Sequence, residues 1–479
     1  MWSALCLLLC LLTLVSSLDS HDLVYIVLSQ PNIFHARKAE NFRNHFKEQF
    51  KPDSQKPVLL LLHEQWRGVQ GAWTVIPILP EILRKYPDKQ GVLICEEDTR
   101  VDVDKLMSNM RTYDLTQKLF LGRTLYDHEP SIIHHFAFYD EGVKTFPFPD
   151  FSAGFILSMP LLQSLSNRLA VGRQGMGKDF SIDAKHELAM FIWDQGRGMK
   201  MSAAPFFCSG EDDFYSSVCA TSHPVLEANC ERIHEDQLFV AVKTCEKFHE
   251  DRVPVVKETW GAEAKHIEYY SETEDSSIPT TVLGVPNTER GHCGKLHAIL
   301  TRANSHPDIS NKDWILIADD DTIISIARLR KLLGCYKSID PVVIGERYGF
   351  GLSRPSGYNY LTGGSGMVLS HMAVRLLMDH GMACPTDESP DDMTMGMWLK
   401  QLDILITHSP LFHQATPAGY SQTLLKNQIS ISFHKHWNVD PYVVYEKYLG
   451  GIRHNSTDEV TKNAETSHEA EIPPARDEL

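Results

Sequence analysis

The chain has 479 residues, 43% of them hydrophobic and 23% charged, and a formal net charge of −16. That length exceeds one ordinary domain and sets an expectation of two or three. The acidic balance, with no basic stripe, argues against a nucleic-acid partner.

Residues 1–17, MWSALCLLLCLLTLVSS, hold an apolar core from Leu5 to Val15, followed by small residues placed for cleavage after Ser17. This reads as a secretory signal peptide without the usual basic start. A short membrane anchor is the alternative, but the run is shorter than a span needs. No later stretch approaches about 18 continuous apolar residues, so no membrane span is expected.

From residue 22 the first half foreshadows the second. DLVYIVLSQPNIFHARKAENF, from Asp22 to Phe42, parallels DQLFVAVKTCEKFHEDRVPVV, from Asp236 to Val256. Each reads as an apolar strand, a polar turn, Phe-His and a helix. GVLICEEDTRVDVDKL (Gly91 to Leu106) aligns with WILIADDDTIISIARL (Trp314 to Leu329). FLGRTL at Phe120 echoes VIGERY at Val343, and SAGFILS at Ser152 echoes GSGMVLS at Gly364. SIDAKHE at Ser181 echoes SPDDMTM at Ser389, and APFF at Ala204 echoes SPLF at Ser409. Six similarities in one order, at nearly constant spacing, indicate a duplication of roughly 200 residues. Alternating strand and helix signals in each half predict an α/β fold with mostly parallel sheets.

The first copy has Glu96-Glu97-Asp98 where the second has three aspartates, and Asp183-Ala184 where the second has Asp391-Asp392. It also lacks a counterpart of the His-rich segment near residue 434. A degenerate, non-catalytic first half (18–206) is therefore expected, one that binds acceptor or stiffens the rest. A connector with three cysteines (207–235) follows, and then a catalytic half (236–450).

In the second half, Trp314 to Ala318 reads as a buried strand that runs straight into Asp319, Asp320 and Asp321, with a helix starting near Ile323. Ligands of open α/β sheets bind at the carboxyl ends of strands. Three like charges there are costly unless a cation compensates them. Mg²⁺ or Mn²⁺ does so while keeping places for substrate phosphates. Standing alone, such a triplet is more often an acidic turn in solvent. The turn after the strand at Val240 carries Lys243 and Thr244, with Arg252 beyond it, and suits a nucleotide diphosphate. In TGGSGMVLS, Gly364 and Gly366 let backbone approach a ligand, and the apolar stretch after them reads as a helix start. Asp391 and Asp392 precede an apolar helix, as cap or as general base. His434 and His436 alternate, so on a strand they share one face, where one could complete a metal site begun by Asp321.

Beyond Gly451 the chain turns polar, a composition that cannot build a core. It contains the sequon Asn455-Ser456-Thr457 and ends in Arg-Asp-Glu-Leu. RDEL is a close variant of the address read by the ER retrieval receptor, so an ER-lumenal protein is expected. Without the first 17 residues, eight cysteines remain, an even number that fits disulfides in an oxidising compartment.

Taken in order, VAVKTCEKFHEDRVPVVKETW, ADDDT, GERYGFG, TGGSGMVLS, SPDDMTMG and FHQ…SFHKHW resemble the Fringe-type β1,3-glycosyltransferases. With the duplicated first half and RDEL, the likeness is greatest to the ER branch that adds glucose to O-linked fucose on thrombospondin type 1 repeats. The resemblance implies two tandem GT-A-like domains, the first degenerate, and an inverting enzyme with UDP-glucose as donor and Mn²⁺ as cofactor. It implies Asp321 and His434 as metal ligands, with His436 the second choice. Asp392 is implied as base, with Asp391 second. Lys243, Thr244, Arg252, Asp319, Asp320, Gly364 and Gly366 are implied at the donor, Asp319 and Asp320 near both ribose and metal. O-fucosylated thrombospondin-repeat glycoproteins are the implied partners. A Fringe-like N-acetylglucosaminyl- or galactosyltransferase and a non-catalytic ER lectin or folding factor are the competing readings.

Overall fold

The computed structural model describes residues 18–450 except 53–55, 127–130, 135–145, 172–178, 211–216 and 437. The expected signal peptide, the Asn455 sequon, the polar tail and RDEL lie outside the described residues. Among those described, no helix is long and apolar enough to cross a membrane.

Two mixed sheets organise the chain. The first orders its strands as Ser202–Ala203, Phe120–Gly122, Phe155–Ser158, Gly91–Glu96, Leu23–Leu28, Val58–Leu61. The second runs Ile406–His408, Val343–Gly345, Met367–Ser370, Trp314–Asp319, Leu238–Lys243, Ile267–Ser271, with Thr280–Val282 added at the edge. In both, a parallel set is followed by one strand antiparallel to both its neighbours (Phe155–Ser158 and Met367–Ser370). The repeated segments of the sequence thus occupy matching places in two sheets of one topology.

Alternate residues of the central strands feed the two faces of each sheet. In the second, Val240, Val242, Leu316 and Ala318 join one apolar cluster. Ala241, Ile315 and Ile317 join another. The helix Cys293–Ser305 meets that second face with Leu296, Ile299, Leu300 and Ala303, the i, i+3, i+4, i+7 stripe of a one-sided helix. Each fully buried Leu or Ile there stabilises the fold by roughly 1.5–3 kcal/mol relative to exposure.

Two local expectations give way. Met367–Ser370 is a strand, and the helix begins only at His371. Four apolar residues carry no period that separates the two states, and the sheet supplies partners on both sides. Likewise Thr322–Ile324 is a short strand, paired antiparallel with Ser432–His434, before the helix Ile326–Leu333.

The halves are joined by more than chain continuity. Strand Phe180–Ser181 of the first half pairs antiparallel with Arg347–Phe350 of the second, completing a three-stranded sheet with Tyr358–Leu361. Gln30 exchanges two hydrogen bonds with the His408 backbone, at 2.8 and 3.0 Å. Disulfides link Cys208–Cys219, Cys230–Cys335 and Cys293–Cys384, while Cys95 and Cys245 are buried thiols. The even count therefore does not mean complete pairing.

Candidate active site

The apolar runs that fill the second sheet end together, and their next residues are charged. Lys243 lies in register with Asp319 at the ends of adjacent parallel strands. Its ammonium stands 2.8 Å from Asp319 Oδ1 and also bonds Asp391. Burial opposes a charge on Lys243, but the two carboxylates outweigh it and hold the pKa above the ordinary lysine value. Lys243, expected at the donor diphosphate, here bridges two acids.

Asp320 turns inward. Its carboxylate accepts from Thr244 Oγ1 at 2.7 Å and Arg252 Nη1 at 3.1 Å. Burial, and then the neighbouring Asp321 charge, push its pKa up to about 7. Arg252 also reaches Asp321 at 3.0 Å and stacks on the Phe248 ring. Thr244 and Arg252, both expected at the donor, here hold Asp320 and Asp321.

The strand pair Thr322–Ile324 and Ser432–His434 sets Thr322 opposite His434, bringing the imidazole beside Asp321. His434 Nε2 lies 3.1 Å from Asp321 Oδ1. Its Nδ1 lies 3.1 Å from the Gln414 carbonyl, which can only accept, so Nδ1 carries the hydrogen. Nε2 then offers a lone pair toward a carboxylate, an arrangement that calls for a proton or a cation between them. Burial would raise the pKa of Asp321, but His434 and Arg252 keep it well below the usual carboxylate range. Ligand atoms of Asp319, Asp321 and His434 all lie within 4.8 Å of one another. Two carboxylate oxygens and an imidazole with an oriented second nitrogen suit a divalent cation.

Asp319, expected near both ribose and metal, is grouped by the geometry with Asp321 and His434. Alternation alone would put His434 and His436 on one strand face. The strand ends at His434, and Lys435 has φ +74, which turns the chain and takes His436 off that face. Gln414, which orients His434, carried no spacing signal.

The glycines act through neighbours. A Cβ on Gly364 would stand 2.3 Å from His434 Cε1. Gly366 adopts φ +89 in the turn before Met367, a conformation that favours glycine. Gly363 N donates to Asp392 Oδ2 at 3.3 Å.

Asp391 and Asp392 open the helix Asp391–Gln401. Asp391 is 8% exposed. Burial would raise its pKa, but Lys243 reverses this and the net shift is downward. Asp392 is less buried, and accepts from the backbone N–H groups of Gly363 and Met393. Burial and the Asp391 charge raise its pKa. Adjacent acids driven apart in this way are the pattern of a fixed anion beside a proton acceptor.

A profile described as Fringe-like matches residues 233–451. A protein of Homo sapiens named beta-1,3-glucosyltransferase is 47% identical over 438 residues, covering 91% of this chain and 86% of its own length. This chain belongs to the Fringe-like β1,3-glycosyltransferase family. A beta-1,3-glucosyltransferase of Mus musculus is 44% identical over 436 residues, covering 90% of this chain and 87% of its own. A shorter stretch is similar to beta-1,3-N-acetylglucosaminyltransferase lunatic fringe of Xenopus laevis. That match is 26% identical over 227 residues, 42% of this chain and 60% of the relative. The Fringe-like profile therefore covers the second sheet and all the charged residues described above.

Proposed function

We propose that this chain is an inverting β1,3-glucosyltransferase of the ER lumen. It moves glucose from UDP-glucose to the 3-hydroxyl of O-linked fucose on thrombospondin type 1 repeats. The observation that carries glucosyl transfer is 44–47% identity across about nine-tenths of the chain to two proteins named beta-1,3-glucosyltransferase. The fucose acceptor and the ER address rest on the sequence resemblance and on RDEL.

Asp319, Asp321 and His434 would hold the Mn²⁺, which when bound supplies Lewis acidity toward the diphosphate leaving group. The chain's own residues do the rest. Asp392 Oδ accepts the proton of the acceptor hydroxyl as that oxygen attacks the glucose anomeric carbon. Attack comes from the face opposite UDP, so the C1–O bond breaks as the new bond forms and the UDP oxygen keeps the electron pair. Configuration inverts and no enzyme nucleophile is needed. Lys243 holds Asp391 ionised, keeping an anion next to Asp392 and its basicity high. Gly363 N fixes one oxygen of Asp392.

The test is a donor panel. The purified chain with Mn²⁺ receives UDP-glucose, UDP-GlcNAc or UDP-galactose and an O-fucosylated thrombospondin-repeat domain, and product mass is read. A hexose gain with UDP-glucose alone, lost with EDTA and in Asp321→Asn, is the expected result. A gain with UDP-GlcNAc moves the assignment to Fringe activity. No gain with any donor points to a lectin or folding factor.

A further inference from the structure

The His434 imidazole is aimed by a carbonyl that must itself be held. Nδ1 donates to the Gln414 carbonyl at 3.1 Å, and His434 N donates to the next carbonyl, that of Ala415, at 3.4 Å. Gln414 is anchored in turn. Its side-chain Oε1 accepts from Ser365 N at 3.0 Å. The peptide that carries its carbonyl is tied through Ala415 N, which donates to Tyr420 Oη at 3.2 Å. Its own N–H donates to Glu346 Oε2.

Glu346 directly follows the strand Val343–Gly345, which Met367–Ser370 separates from Trp314–Asp319 in the second sheet. From there it holds both segments that flank the imidazole. Its carbonyl accepts from Thr362 N at 3.0 Å, two residues before the Gly364 that packs on the ring. Its side chain takes the Gln414 N–H on the other flank. Burial pushes the Glu346 pKa up to about 8, against hydrogen bonds from Gln414 N and Tyr420 that favour the ionised form. What Glu346 offers here is an oxygen in the right place more than a charge.

A ligating imidazole depends on the partner of its other nitrogen, and that partner depends on its own support. We propose that Glu346 is a positioning residue for His434: by holding Gln414 it fixes the carbonyl that orients the imidazole. It acts from two hydrogen bonds away, through Gln414. The consequence for metal binding rests on the reading of Asp319, Asp321 and His434 as a metal site.

Two substitutions separate geometry from charge. Glu346→Gln keeps an acceptor oxygen within reach of Gln414 N and removes the charge. Glu346→Asp keeps the charge and withdraws the oxygen by one methylene. The full-length chain, labelled with ¹⁵N-histidine and stripped of metal with EDTA, is read by NMR for a hydrogen-bonded, slowly exchanging Nδ1–H of His434, assigned by its loss in His434→Gln. Calorimetry then gives the Mn²⁺ affinity, and circular dichroism checks the fold. Glu346→Gln is expected to keep the Nδ1–H signal and an Mn²⁺ affinity within about twofold of the wild type. Glu346→Asp is expected to lose the signal and to bind Mn²⁺ roughly tenfold or more weakly. If Glu346→Asp does not fold, Glu346→Ala takes its place with the same expectation. Wild-type behaviour in both variants overturns the proposal, as does loss of the signal in Glu346→Gln. A wild-type chain that shows the Nδ1–H signal but no Mn²⁺ affinity ends the metal reading, while the Nδ1–H comparison still decides the role of Glu346.

Discussion

Gly364 lies against the His434 imidazole so closely that a methyl group at that position would stand 2.3–2.5 Å from three ring atoms. Gly364→Ala is therefore expected to displace His434 while leaving the fold intact. Mn²⁺ affinity should fall about 10- to 100-fold, the usual cost of disturbing the support of a metal-ligating histidine. Titration calorimetry with Mn²⁺ checks this; unchanged affinity would remove His434 from the metal site.

Asp392→Asn should lower kcat by roughly 10²–10⁴-fold with KM for UDP-glucose nearly unchanged, since it removes the proton acceptor and not a donor contact. Asp391→Asn should also reduce turnover, but leave a measurable rate. Near-full activity in Asp392→Asn together with none in Asp391→Asn would exchange the two roles.

The pH profile follows from the same pair. The proton acceptor must be ionised, and the Asp392 pKa is raised by burial and by Asp391. Turnover should fall as pH drops through that raised value, at a pH above the ~3.9 of an ordinary aspartate. Asp391→Asn takes away a negative neighbour, so its acid limb should shift to lower pH. A limb that stays in place in that variant would contradict the assignment of Asp392.

Lys243 is 6% exposed and compensates both Asp319 and Asp391. Lys243→Met strands two carboxylates with their neighbours and should destabilise the fold by about 3 kcal/mol. Denaturant midpoints at neutral pH measure this. Recovery of stability on adding Asp391→Asn would identify the stranded charge as the cause.

The Cys230–Cys335 bridge closes a sequence separation of 105 and ties the connector to the second half. Replacing both cysteines by alanine should cost about 2–4 kcal/mol, chiefly by freeing the unfolded chain. Equilibrium unfolding under non-reducing conditions tests it.

Much of the architecture was legible because the duplication let each half vouch for the other. VYIVL and FVAV, or LIC and LIA, are ambiguous singly, but their shared order fixed matching strands. The acid triplet and the Asp391-Asp392 pair were legible for a similar reason, since carboxylates directly after a buried run need compensation. What stayed hidden depends on long-range pairing. Thr322–Ile324 becomes a strand only because Ser432–His434 returns beside it. Lys435 takes a left-handed turn that no alternation of histidines reveals. The contact of Lys243 with Asp391, 148 residues away, leaves no local signal either.

The strand Phe180–Ser181 closes a sheet that otherwise belongs to the second half. Cut away from the first half, Arg347–Phe350 would present a bare edge of unpaired amides, with the Phe350 ring beside it. The two halves therefore depend on each other at this edge. Expression of residues 236–450 alone would yield a sticky fragment instead of a minimal enzyme.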